Sequence, residues 1–179
     1  MSYAIKYPEN MRSLILANSA GASSEYIGPF LQLRTERTTH QDSLDLGRTQ
    51  SSSEFKTFQP SAVNEFVRTI FHTYFYDKGS ITFLNVNFSE HTANNILPIF
   101  TLMVGRRYDI RSNLSAIKCP TLIIHGDQDV VLPKYAEEIH TLIPQSRYVL
   151  FTHCGHFSFV EQPKQFTEEC LGFLNSTQK

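Results

Sequence analysis

The chain has 179 residues, 41% of them hydrophobic and 18% charged, and its formal net charge is −1. That length suffices for one domain with a real core, and without a basic run or face the charge balance excludes a nucleic-acid partner. No apolar stretch reaches the roughly 18 residues of a membrane span, and the N-terminus lacks a charged-then-apolar leader pattern.

Residues 1–9 (MSYAIKYPE) read as a helix stopped at Tyr7-Pro8, because the residue before proline avoids helical backbone. Residues 11–17 (MRSLILA) read as a buried strand, followed by Asn18-Ser19-Ala20-Gly21. Residues 29–46 are polar and mixed and read as one helix, with a loop at 50–53. Pro60-Ser61 opens a strongly amphipathic helix carrying Val63, Phe66, Val67, Ile70, Phe71, Tyr74 and Phe75 at helical spacing. Residues 76–79 end it. This aromatic stripe reads as core, with some members free to line an apolar pocket. A further helix is expected over 90–104, kinked or reopened at Pro98 and closed by Gly105.

Residues 120–125 (PTLIIH) form a short apolar run closed by Gly126, the pattern of a strand covered on both faces. The acidic loop Asp127-Gln128-Asp129 follows. Pro133 opens a helix with Ala136, Ile139, Leu142 and Ile143 on one face, and Pro144 stops it. Residues 147–151 form another strand, ending in His153-Cys154-Gly155-His156. A strand, crossover helix and parallel strand send both polar loops to the carboxyl edge of one sheet, where open α/β sheets bind ligands. A C-terminal helix after Gln162-Pro163 presents Phe166, Cys170, Phe173 and Leu174, and residues 175–179 read as a frayed polar tail.

The segment from Cys119 to Pro163 resembles the C-terminal third of an α/β-hydrolase. The matching features are Cys-Pro-Thr-Leu-Ile-Ile-His-Gly, the acidic loop, the proline after it, Gly155-His156 and Glu161-Gln162-Pro163. The resemblance implies an α/β fold: a truncated α/β-hydrolase with a short parallel sheet of about three strands and a helical lid. Residues 1–21 and 112–179 then form the core and 22–111 the lid. It places the catalytic acid at Asp129 and the catalytic base at His156 of a Ser-His-Asp relay, in which the carboxylate orients the imidazole and stabilises its charged form. Asp127 reads as a turn residue, His125 and His153 as structural, and Cys154 as packing rather than a nucleophile.

The entry Tyr-Pro-Glu, the Asn-Ser-Ala-Gly and the Tyr108-Asp109-Ile110-Arg111 return are most similar to proline iminopeptidase-type members, which hold a free substrate amine with acids near the lid. Glu25, Glu36, Glu54 and Glu65 are the candidates. The family's Gly-x-Ser-x-Gly elbow is expected about ten residues upstream of Met1. The 179 residues contain none. Gly21-Ala22-Ser23-Ser24-Glu25 lacks the second glycine and follows the wrong strand, and Ser2 lies past the elbow. The chain is therefore expected to carry acid and base without a nucleophile and to be inactive alone. The alternative is an inactive remnant or binding module. The strand at 12–17 is expected to show a bare edge, with one sheet face also losing its helices. It would then be covered by self-association into a homo-oligomer or by an N-terminal fragment. A small-molecule or peptide substrate, no cofactor and no metal are expected. Three cysteines without an even framework suit a cytoplasmic setting.

Overall fold

The computed structural model describes residues 1–177, so the expected frayed tail at 175–179 lies partly outside the described residues. The chain starts with a short helix, α1 (Ser2–Lys6), and a 3-10 turn at Pro8–Asn10. The first strand, β1 (Leu14–Ala17), is shorter than the apolar run that announced it. Five helices follow: α2 (Ile27–Arg37), α3 (His40–Ser51), α4 (Ser53–Lys56), α5 (Pro60–Phe71) and α6 (Glu90–Gly105). Then come β2 (Thr121–Gly126), α7 (Pro133–Leu142), β3 (Ser146–Phe151), α8 (Ser158–Glu161) and α9 (Pro163–Ser176).

The three strands form a parallel sheet in the order β1-β2-β3. Leu14 pairs with Thr121 and Ala17 with Ile124, while Thr121 pairs with Ser146 and Gly126 with Phe151. Every residue of β2 is buried, as a central parallel strand requires. Its side chains alternate between two cores. Ile123 packs with Ala4, Leu16, Ala136 and Ile139 against α1 and α7. Leu122 and Ile124 pack with Phe151, Cys154 and Phe173 against α9. The expected bare face is therefore not found: helices cover both. β1 remains an edge, with Leu14 and Ile15 only half-buried.

The helices between β1 and β2 form a layer over the carboxyl ends of the strands. Within it, Val63, Phe66, Val67 and Ala93 make a core of their own. At its base, Tyr26, Ile27, Phe30 and Tyr74 pack on Val130 and Val131 from the loop after β2. The single helix expected over 29–46 is two. Thr39 caps α3 through a reciprocal box: its hydroxyl accepts from the Asp42 amide and the Asp42 carboxylate accepts from the Thr39 amide. This arrangement satisfies orphan donors that a continuous helix would not have, and it starts a new helix there. The expected loop at 50–53 instead holds the end of α3 and the start of α4, which Ser52 caps. The helix expected to reach Phe75 ends at Phe71, and a 3-10 turn carries His72–Tyr74. Pro98 lies inside an unbroken α6.

Two glycines permit the close approach of loops at the strand ends. A Cβ on Gly126 would stand 2.2 Å from the Cys154 carbonyl oxygen, and one on Gly155 would stand 2.2 Å from that of Tyr74. Gly47, inside α3, has open space around it. In urea titrations, Gly126→Ala is expected to lose about 2–3 kcal/mol or more, since backbone must move. Gly47→Ala is expected to gain about 0.5–1 kcal/mol from helix propensity.

Candidate active site

Each of the three strands delivers one polar residue at its carboxyl end. Asn18 follows β1, Asp129 lies in the loop after β2, and His156 lies in the loop after β3. Asp129 and His156, the two residues the sequence singles out, meet. His156 Nδ1 is 2.9 Å from Asp129 Oδ1 and 3.0 Å from Oδ2. Because a carboxylate only accepts, the proton sits on Nδ1, which leaves Nε2 as the free basic nitrogen. Asp129 is 1% exposed. The His156 ring is about a quarter exposed and stands edge-on to Tyr74, with centroids 5.3 Å apart. The His156 amide donates to the Tyr74 carbonyl at 2.7 Å.

The carboxylate has two further donors. The Val131 amide reaches Oδ1 at 2.8 Å, and Asn18 Nδ2 reaches Oδ2 at 3.0 Å. Burial by itself penalises the charged form of Asp129. The facing His156, its hydrogen bond, the nearby His125 and the Asn18 donor outweigh that penalty and hold the carboxyl below its ordinary range.

Asn18 is the member of this hydrogen-bonded cluster that sequence reasoning left unassigned. Its Nδ2 also donates to the Gly155 carbonyl at 3.1 Å, and its Oδ1 accepts from the Ser158 hydroxyl at 2.5 Å. Both Asn18 and Ser158 are buried. The Asn18 backbone is left-handed, with φ 46°. Asparagine tolerates that conformation better than other side-chain-bearing residues. The signal was available in the sequence: a lone polar residue closing an apolar strand at the edge where ligands bind.

The remaining candidates fall outside this pair. His125 is fully buried and its Nε2–H faces the Val131 carbonyl at 2.6 Å, so it supports the acidic loop from beneath. Asp127 Oδ1 accepts from the Cys154 amide at 3.2 Å, tying one loop to the other. His153 is exposed, beside Tyr76. Glu161 accepts from the amides of Gly155, Tyr76 and Asp77, clamping the histidine loop to the helical layer. Burial and the nearby Glu161, Asp129 and Asp127 push the Cys154 thiol up to about 12, which leaves it protonated and non-nucleophilic at neutral pH. All three cysteines are free. Among the described residues, no three His, Cys, Asp or Glu side chains form a group able to hold a metal ion, and no helix is long and apolar enough to cross a membrane.

The family description "alpha/beta hydrolase fold" matches residues 1–163. The chain belongs to that family. Among its curated relatives within the family, a proline iminopeptidase of Flavobacterium johnsoniae is 26% identical over 190 aligned positions, covering 98% of this chain and 61% of that protein. A pimeloyl-[acyl-carrier protein] methyl ester esterase of Nitrosomonas europaea is 42% identical over 66 residues, 36% of this chain and 26% of the esterase. The crystal structure of a proline iminopeptidase from Mycobacterium smegmatis superposes with a TM-score of 0.58 at 18% identity, covering 98% of this chain and 60% of that one. That likeness establishes the fold. The chain spans no more than about six tenths of the length of these relatives.

The Asp129 shift has a readable consequence. A carboxyl with a depressed folded value stabilises the fold above the unfolded value near pH 3.9, and that contribution is lost as pH falls through the lower folded value. Asp129→Asn is expected to be less stable than the parent by about 1–3 kcal/mol at pH 7. The gap should narrow as pH falls below about 4. Paired urea titrations across that range check it.

Proposed function

We propose that Asp129 and His156 are the catalytic acid and base of a Ser-His-Asp relay that hydrolyses an ester or amide bond. The observation that carries this reading is the buried Asp129 carboxylate hydrogen-bonded to His156 Nδ1, which aims Nε2 as the basic nitrogen. Such an imidazole takes the proton of a hydroxyl nucleophile while the carboxylate stabilises the resulting cation. The hydroxyl is supplied from outside these 179 residues, which contain no Gly-x-Ser-x-Gly. Residues 22–111 act as a lid: their layer packs on Val130, Val131 and Phe157 beside the pair. Three free cysteines suit a reducing, cytoplasmic setting.

The proline iminopeptidase specialisation gains less support than the general one. Glu25, Glu36, Glu54 and Glu65 all sit on the surface. Glu25 is engaged by Arg111, and Glu36 accepts from Gln32. A second reading is an inactive remnant or binding module without chemistry of its own.

A fluorophosphonate probe separates the two. The 179-residue chain alone is expected to remain unlabelled. The same chain extended at its N-terminus by an elbow-bearing segment is expected to label, and His156→Ala should slow that labelling by roughly three orders of magnitude or more. Failure of the extended chain to label would favour the binding module.

The β1 edge offers unpaired backbone donors and acceptors beside Leu14 and Ile15, which suits pairing with a second copy or an N-terminal fragment. Sedimentation velocity is expected to show self-association rising with concentration. A persistent monomer at high concentration would remove the proposal.

A further inference from the structure

A cavity of about 740 Å³ lies among α2, α3, α5 and α6. Tyr74 lines its wall and also stands edge-on to His156 of the pair. The wall is largely apolar, with Phe66, Ile70, Phe71 and Phe100 among its members. Its threonine and serine hydroxyls are already spent: each donates to a backbone carbonyl three or four residues earlier. Arg34 is the one charged residue lining it, and no acid does.

Arg34 is also the unengaged arginine of this region. Arg37, one turn on, donates to the carbonyls of Thr73 and Gln128. Arg111 is held by Asp109, Glu25 and Glu138. No carboxylate of the described residues pairs with Arg34, whose guanidinium lies 5.8 Å from the centre of the Phe100 ring. Burial raises the Tyr74 phenol well above its ordinary value, with the Arg34 charge partly opposing. Tyr74 and Arg34 line the same cavity, and the phenol is protonated there as a hydrogen-bond donor.

The geometry points to a substrate subsite for an apolar chain or ring that carries a carboxylate, with Arg34 and Tyr74 as its donors. This rests on the hydrolase reading, and it narrows the substrate to derivatives of such an acid. An unpaired cation in a cavity without an acid repels a free ammonium, so the same subsite disfavours substrates presenting an N-terminal amine. A guanidinium in apolar surroundings makes strong charge-assisted bonds to a carboxylate, while the aromatic walls take up hydrocarbon.

Titration calorimetry on the 179-residue chain tests this with octanoate, octan-1-ol and octylamine. Octanoate should bind about tenfold or more tighter than either of the others. Arg34→Gln should bring octanoate down to the alcohol's level, and Arg34→Lys should retain part of the preference. Methyl NMR shifts on octanoate addition should fall at Ile70 and Leu97, which line the cavity. The proposal is overturned if octylamine binds as tightly as octanoate, if Arg34→Gln leaves octanoate unchanged, if the shifts fall elsewhere, or if octanoate does not bind at millimolar concentration. Binding is read without turnover, so failure of the hydrolase reading and failure of this one give different results.

Discussion

A carboxylate buried to 1% exposure is tolerable only if nearly every lone pair has a donor, and Asp129 meets that condition from three directions. Its own loop supplies the Val131 amide, the end of β1 supplies Asn18, and the end of β3 supplies His156. The three strand ends are therefore bound to one negative charge. Asn18 extends the network to the Gly155 carbonyl and to Ser158, so the histidine loop is held on both sides of its ring. Loss of that charge removes one tie between the loops, while the hydrogen bonds from the Cys154 amide to Asp127 and from the Gln128 amide to the Cys154 carbonyl remain.

The helical layer is joined to that network by backbone as well as by packing. His156 donates its amide to Tyr74, Glu161 accepts from Tyr76 and Asp77, and Arg37 reaches across to Gln128. Gly155 permits the contact, because any Cβ there would collide with the Tyr74 carbonyl. The glycine before the histidine serves the approach of the layer as much as the turn itself. As a result, the Tyr74 ring stands against the imidazole and also lines the cavity, so His156 shares that wall with whatever the cavity holds.

Much of the frame was legible from local pattern. The apolar β2 run closed by Gly126, the helix opened by Pro133 and the Gly-His loop each carry their own signal within a few residues. The pairing of Asp129 with His156 followed from the parallel crossover, since it sends both loops to one edge. The misses are also physical. The break between α2 and α3 was written as Thr39 and Asp42, a capping box overlooked inside a polar stretch. The expectation that one sheet face loses its helices fails because α1 and α7 line one face while α9, whose apolar stripe is legible in the sequence, lines the other.

The sequence by itself determined the alternation of apolar faces, the three parallel strands and the single sheet edge at which the Asp129 and His156 loops emerge. These depend on neighbours a few positions apart and on one crossover rule. Only the tertiary structure decided that Asn18 completes the carboxylate's shell, that Glu25, Glu36, Glu54 and Glu65 face outward, and that Arg34 alone charges the cavity. Those outcomes depend on which surfaces of four helices meet and which polar groups they leave unpaired. No local periodicity encodes that meeting, because it is settled by packing between segments far apart along the chain.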